Sequence, residues 1–338
     1  MAELKDVAAA AGVSISVASR VLTADAKARI HPDTRQRVLA VAGEIGYVPS
    51  HRARALRMSR AGALALIVPD VNNAVFAPLL AGVDEVATSR SVSVLLGQLD
   101  GPRAGKRELD ALVGKGRVDG VVLQRREDFT DRMLASTLDT DVPVVLFNSR
   151  LKGRTGSVLL DDVEAARIAT RHLLDLGHEH LGFVGGTVRH DAAARRLKGF
   201  RAAMRAAGRS VAKSDVVAAG WEADAGMAAA KRLLDASSPP TGLVVASVNA
   251  AFGAVSCASR AGIRVPEELS VVAVQDTWMA EVYCPPVTVV RMPLQEAGAA
   301  ATSMLLDHID GAPLADLVLR TPVPELVVRG TTGRPSTA

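Results

Sequence analysis

Arg20 stands one helical turn beyond Ile15 and Ser16 in the segment LKDVAAAAGVSISVASRVL, and Arg52, Arg54 and Arg57 crowd the later segment HRARALRMSR. Guanidinium groups at this density suit phosphate oxygens, or O6 and N7 of guanine when both nitrogens engage, so the chemistry on offer is recognition of duplex DNA. The charge is partitioned accordingly: ten Lys/Arg face five Asp/Glu in the first 60 residues, whereas the remaining 278 carry 30 against 31.

Other groupings of reactive residues carry less. Asp161 and Asp162 are adjacent, and neighbours on a strand point to opposite faces. His172 precedes the apolar face of a helix, and His178 and His180 sit in a turn into a strand, so the three read as structural rather than metal-binding. Gly114, Lys115 and Gly116, like Gly185 and Gly186, lack the spacing of a phosphate-binding or dinucleotide loop, and no GxSxG elbow occurs. The Arg-rich run from Arg189 to Arg205 reads as a solvated helix face with Arg196 alone turned inward. No catalytic residue, metal or cofactor is expected, and the chain does not read as an enzyme. Cys257 and Cys284 have no CxxC spacing and read as structural thiols of a reducing compartment.

The basic end must be positioned by helices. Val7, Ala8, Ala11, Gly12, Val13, Ala18 and Val21 have the spacing of a helix-turn-helix, with Gly12 supplying a turn that needs positive φ. Ser14 is suited to cap the second helix, which places Ser14, Ile15 and Ser16 at its groove-facing start, with Ser19 and Arg20 one turn further on. A third helix follows, with Pro32 in its first turn, Val38, Leu39, Ala42 and Ile45 at helical spacing, and Gly46 as its stop. Beyond Pro49, the stretch from Ser50 to Met58 surrounds Ala53 and Leu56 with arginines. Such a segment can order on DNA, with Leu56 as an apolar wedge in the minor groove.

From Ala63 onward, continuous apolar runs (ALALIVP, VSVLLG, DGVVLQ, PVVLFN, HLGFVGG, GLVVAS, LSVVAVQD) alternate with amphipathic stretches such as Phe76 to Ser89, Glu164 to Leu176 and Asp224 to Leu234. Unbroken apolar strands belong to parallel sheets covered on both faces, which is the doubly wound α/β class. Around ten such units suit two similar α/β subdomains with a ligand cleft at the carboxyl ends of their strands. No run approaches the roughly 18 to 20 apolar residues of a membrane span, and MAELKDVAAAAG has no basic leader before an apolar stretch, so a cytoplasmic location away from membranes is expected.

These residues resemble the LacI/GalR family of bacterial transcription regulators. The family pattern reads here as Asp6, Val7 and Ala8; Ala11, Gly12, Val13 and Ser14; Ser19, Arg20, Val21 and Leu22; Gly46, Tyr47, Val48 and Pro49; and Leu56. Further landmarks follow in order: HLLDLGHEHLGFVGG, RLKGFRAAM, AGIRVPEELSVVAV, PPVTVVRMP and ELVVRGTT. Val17 and Ala18 replace a usual Thr-Val pair, and Ser50 replaces a common Asn.

The resemblance implies an all-α helix-turn-helix head over 1–48 and a hinge helix over 49–61. It further implies a periplasmic-binding-protein-like (type I) core of two doubly wound parallel-sheet subdomains, 62–161 with 292–321 and 162–291 with 322–332, and a disordered tail over 333–338. It assigns DNA contact to Ser14, Ile15, Ser16, Ser19, Arg20, Ser50, Ala53, Arg54, Leu56 and Arg57. Effector contact falls to Asn73, Phe76, Gln124, Asn148, Arg196, Trp221, Ser247 and Gln275. The implied protein is a homodimer on a pseudo-palindromic operator, most simply a repressor, controlled by a small molecule. An aromatic face, amides and a guanidinium fork suit a carbohydrate or a sugar derivative. Two carboxylates usual in the family are missing, however, since Ser247 and Val248 replace Asn-Asp and Gln275 replaces Asp. The alternative is a solute-binding protein with no role on DNA.

Overall fold

The computed structural model describes residues 2–22, 28–47, 60–99, 105–114, 116–187 and 190–336. It divides into two units, Met1–Gly62 and Ala63–Ala338. In the first, helices α1 (Leu4–Ala10), α2 (Ile15–Leu22) and α3 (Pro32–Glu44) share a core of Val7, Ala8, Ala11, Ala18, Val21, Val38 and Ala42. Gly12 turns the chain between α1 and α2 at φ +63°, and the Ser14 hydroxyl caps α2 by accepting from the Val17 amide at 3.3 Å. Arg37 Nε donates to the Ala11 carbonyl at 3.0 Å, which ties α3 to the end of α1. Two residues expected in this core are not there: Leu39 is 50% exposed and Ile45 38%. Val38 and Ala42 define the inward stripe, Leu39 lies about 100° around the helix from Val38, and Ile45 sits past the last helical residue.

The second unit holds two six-stranded sheets among its described residues. One has the order β11-β5-β4-β3-β1-β2 and the other β12-β10-β9-β8-β6-β7. The strands of the first are β1 (Ala63–Val68), β2 (Ser93–Gln98), β3 (Gly120–Gln124), β4 (Val144–Phe147), β5 (Ser157–Leu160) and β11 (Leu317–Leu319). Those of the second are β6 (Leu181–Gly185), β7 (Val216–Ala218), β8 (Gly242–Val245), β9 (Ser270–Val274), β10 (Thr288–Arg291) and β12 (Glu325–Val327). The pairing is parallel throughout except between β10 and β12. Central strands such as β4, β6, β8 and β9 are buried along their whole length, as helices on both faces require.

The chain passes between the sheets three times: from β5 into the helix Asp162–Asp175, from β10 into the helix Leu294–Ile309, and from β11 to β12. Glycines set the closest helix pairs. A Cβ on Gly82 would strike the Gln295 carbonyl, one on Gly298 the Leu79 carbonyl, and one on Gly253 the Ala223 carbonyl. The ordered chain also reaches past residue 332, where a disordered tail was expected. The Gly333 carbonyl is bonded by His178 Nε2 at 2.9 Å, and the Gly333 amide donates to Ser270 Oγ at 3.0 Å.

In each sheet the first strand has the second on one side and the third on the other: β1 between β2 and β3, β6 between β7 and β8. This reversal opens a crevice beyond the carboxyl ends of the strands, where α/β folds place ligands.

Candidate functional site

The start of α2 presents Ser14, Ile15 and Ser16 to solvent, with Arg20 exposed one turn on and Ser19 half-buried. Ile15 is 55% exposed, so an apolar side chain is offered beside two hydroxyls and a guanidinium. Ser50, Ala53, Arg54, Leu56 and Arg57 lie outside the described residues.

In the second unit one cavity of about 620 Å³ collects all eight residues singled out as cleft contacts: Asn73, Phe76, Gln124, Asn148, Arg196, Trp221, Ser247 and Gln275. They converge because each lies at or just beyond the carboxyl end of a strand, or on the helix that follows it. Asn148 after β4 (φ +45°) and Gln275 after β9 (φ +75°) both take left-handed backbone conformations at the point where the chain leaves its sheet.

Several of these side chains are already engaged by the protein. Asn73 Oδ1 caps a short 3-10 turn by accepting from the Val75 amide at 3.1 Å. Asn148 Oδ1 accepts from the Leu160 amide at 3.1 Å and from Arg195 Nη2 at 2.7 Å. Ser247 Oγ donates to the Trp221 carbonyl at 2.7 Å and so fixes the backbone beneath the indole.

Arg196 departs most from expectation. It is 1% exposed, with Nε donating to Asp162 Oδ1 at 2.7 Å and Nη1 to the Ala246 carbonyl. Its guanidinium lies 5.3 Å from the Trp221 ring centroid. Asp162 is fully buried and also accepts from Arg195 Nε at 3.1 Å and Nη2 at 2.7 Å. Burial pushes the Asp162 carboxyl up, but the charges of Arg196 and Arg195 outweigh it and hold the group below its ordinary range. Asp161 and Asp162 therefore do not alternate across a strand. Asp161 caps the helix that Asp162 begins, and Arg195 is not a solvated neighbour of Arg196 but its partner in one clamp.

The three histidines set aside above are hydrogen-bonded in place. His172 Nε2 meets Thr332 Oγ1 at 2.9 Å, His178 joins Thr241, Ser270 and Gly333, and His180 meets Asp215 at 3.2 Å.

Sequence reasoning missed the residues that finish the cavity: Asp70, Glu127, Thr187, His190 and Glu222. Four of them follow strands within a few residues, so the strand-end rule alone would have nominated them. His190 is 4% exposed and packs edge-on to Trp221, with ring centroids 5.2 Å apart. Its pKa is lowered to about 4, chiefly by burial and then by the charge of Arg196, against a hydrogen bond to the Arg125 backbone. The ring is thus neutral near pH 7. Among the described residues its Nδ1 has no hydrogen-bond partner, nor do Gln124 Oε1 and Thr187 Oγ1. Glu127, carried after β3, reaches the other sheet's side of the cavity, where Oε1 accepts from the Thr187 amide at 2.5 Å. A Cβ on Gly186 would collide with the Trp221 indole at 2.5 Å, so glycine there is what lets the ring lie against the cavity wall.

With this geometry in view, the likeness to known proteins is specific. Residues 3–50 match the family described as bacterial regulatory proteins, lacI family, and residues 170–332 match the periplasmic binding protein-like domain. The chain is 31% identical over 330 residues to the HTH-type transcriptional regulator DegA of Bacillus subtilis, covering 97% of each protein. It is 51% identical to a LacI family transcriptional regulator from Mycobacterium smegmatis of known structure, with a TM-score of 0.78, over 81% of this chain and 100% of that one. The transcriptional regulator CelR in complex with cellobiose is 29% identical, with a TM-score of 0.71, over 98% of this chain and 100% of that one.

Proposed function

Because the chain belongs to the LacI family of bacterial regulatory proteins, and is thus a DNA-binding regulator rather than an enzyme, we propose that it is a repressor. In this reading it holds a pseudo-palindromic operator as a homodimer and is switched by a small molecule in the cleft. The observation that carries this reading is one chain joining a helix-turn-helix to a 620 Å³ cavity at the strand ends of a two-sheet core. Residues 1–48 read DNA, with Ser14, Ile15 and Ser16 on base edges and Ser19 and Arg20 on bases or phosphates. Residues 49–61 form the hinge, in which Ser50, Ala53, Arg54 and Arg57 approach the backbone and Leu56 wedges the minor groove. The subdomains 62–161 with 292–321 and 162–291 with 322–332 form the sensor.

Two half-sites require two heads, and exposed apolar residues support association: Leu95 and Leu96 on edge strand β2, and Trp278, Val282 and Val323 elsewhere. A polyhydroxylated ligand is supported by the cavity's size and by the cellobiose held by CelR. The ligand shifts operator affinity only by its differential affinity for the DNA-binding and non-binding states. The protein acts in the cytoplasm, with its DNA; among the described residues no helix is long and apolar enough to cross a membrane.

Anisotropy titration against duplexes from the gene's own and neighbouring promoters tests the reading. Preference of at least about 10³-fold for one duplex over random sequence is expected. Equal binding to both at low salt, where nonspecific contact is strongest, refutes it.

A further inference from the structure

The formal charges around the cavity are not balanced. Its three arginines are already neutralised. Arg125 donates to Asp131 at 2.7 Å and to the Phe129 carbonyl, Arg126 forms a two-point pair with Asp128 at 2.9 and 3.0 Å, and Arg196 is bound to Asp162. His190 is neutral near pH 7. What remains is Asp70, Glu127 and Glu222, none of which has an ion-pair partner among the described residues. Asp70 Oδ1 accepts only from Asn72, at 2.9 and 3.1 Å, and Glu222 Oε2 from Asn249 Nδ2 at 3.3 Å. Glu127 Oε2 lies beside Gly220, 3.8 Å from where a Cβ would stand. Burial first, and the charges of Asp70, Asp224 and Glu127 against the Asn249 hydrogen bond, raise the Glu222 carboxyl above its ordinary range. The three groups therefore share one field, although Glu222 stays largely in solvent at the rim.

A second and independent observation comes from the buried wall. His190 lines the cavity at 4% exposure, and its Nδ1 has no hydrogen-bond partner among the described residues. Gln124 Oε1, an acceptor, is likewise buried with no partner among the described residues. The carboxylates and the amide oxygen are acceptors and the imidazole adds one open polar atom, so the cavity suits a ligand rich in donors and positive in charge.

We propose that the ligand of this cleft is a cation, a polyhydroxylated amine of the amino-sugar class, whose ammonium lies among Asp70, Glu127 and Glu222 while its hydroxyls donate to Gln124 Oε1 and pair with His190 Nδ1. The proposal rests on the cleft being the effector site. It weighs against an anionic sugar derivative, because each of the three guanidiniums lining the cavity already has a carboxylate counter-charge. It also answers the loss of the two family carboxylates at Val248 and Gln275: acid is supplied from Asp70, Glu127 and Glu222 instead.

The test uses the full-length protein near pH 7 in calorimetric titrations with glucosamine, galactosamine and mannosamine. Each is set against its N-acetyl form and its parent hexose, with glucose 6-phosphate as the anionic control. At least one amino sugar is expected to bind about tenfold or more tightly than both neutral counterparts, and to lose affinity as salt is raised. Glu127→Gln and Glu222→Gln are each expected to weaken that binding about tenfold. Thermal melts of the ligand-free variants show that they fold, and the salt dependence of the wild type stands without them. Failure of all three amino sugars to bind, tighter binding of a neutral or phosphorylated sugar, or amine binding indifferent to both substitutions overturns the proposal. Operator titrations on the same samples separate the two readings. Specific operator binding with no amine selectivity sinks only this inference, and absence of specific operator binding sinks the regulator.

Discussion

Two walls of the same cavity carry opposite charges and opposite states of completion. On one, Asp162 and Arg196 are buried, Arg195 is half-buried, and the three are paired and hydrogen-bonded through Asp162 and to the Asn148 and Ala246 oxygens. On the other, Asp70, Glu127 and Glu222 line the cavity with hydrogen bonds but, among the described residues, no cationic partner. The difference teaches that a charged residue in a cleft is not thereby a ligand contact. A guanidinium whose charge is met by a buried carboxylate is fixed as part of the wall and can offer a ligand only its remaining N–H groups, whereas uncompensated acceptors are poised for something that arrives.

The sharpest way to break this contrast is to remove the anion at the centre of the complete wall. Asp162→Asn leaves two guanidiniums short of their counter-charge, one of them fully buried, and is expected to destabilise the protein by about 3 to 5 kcal/mol. Urea denaturation of the full chain, read as a shift in midpoint, checks it. A loss under about 1 kcal/mol would mean that the pair relaxes into solvent and that the clamp is not structural. The sign with pH follows from the same pairing. Asp162 is held below its ordinary pKa, so its contribution is present above the unfolded carboxylate range and lost as pH falls through the folded value.

His190 lies between the two walls and gives the next effect. Its folded pKa is about 4 against an ordinary 6.5, so below pH 6.5 the unfolded chain takes up a proton that the native ring refuses. Stability is therefore lost as pH falls from 6.5 toward 4, by about 3 kcal/mol over the whole window. His190→Gln keeps a polar side chain beside Trp221 and does not titrate. Its denaturation midpoint is expected to vary less than the wild type's across that window, and equal slopes would show that the imidazole is not held neutral.

The fold was legible in the chain to a useful degree, and for physical reasons. Buried parallel strands read as unbroken apolar runs. Helices expected from Phe76, Glu164 and Asp224 begin at Ala77, Asp162 and Ala223, because short polar or proline-bearing starts mark them. The head was legible down to Gly12 and the Ser14 cap, since local steric demands are written locally. The cleft was legible as a set of positions but not as chemistry. Eight residues named at strand ends do meet around one cavity, yet nothing in RLKGF says that Arg196 is satisfied by Asp162, which lies 34 residues away. For the same reason Glu127, His190 and Glu222 were not singled out: their charge environment is set by chain segments that meet only after folding.

Ser247 is where the contrast can be sharpened most finely. Its place in the chain suggests a ligand contact, whereas its geometry gives it to the complete wall, with Oγ donating to the Trp221 carbonyl at 2.7 Å and the side chain 4% exposed. One neutral hydrogen bond contributes about 1 kcal/mol. Ser247→Ala is thus expected to lower stability by about that much and to leave the affinity for whichever sugar binds the wild type within about threefold, the change coming only through a looser Trp221. The two quantities must be measured on the same variant, because they move in opposite directions under the competing assignment. If the hydroxyl served the ligand, unfolding would be nearly unchanged while affinity fell about tenfold or more, and Ser247 would pass from the wall that is finished to the wall that is waiting.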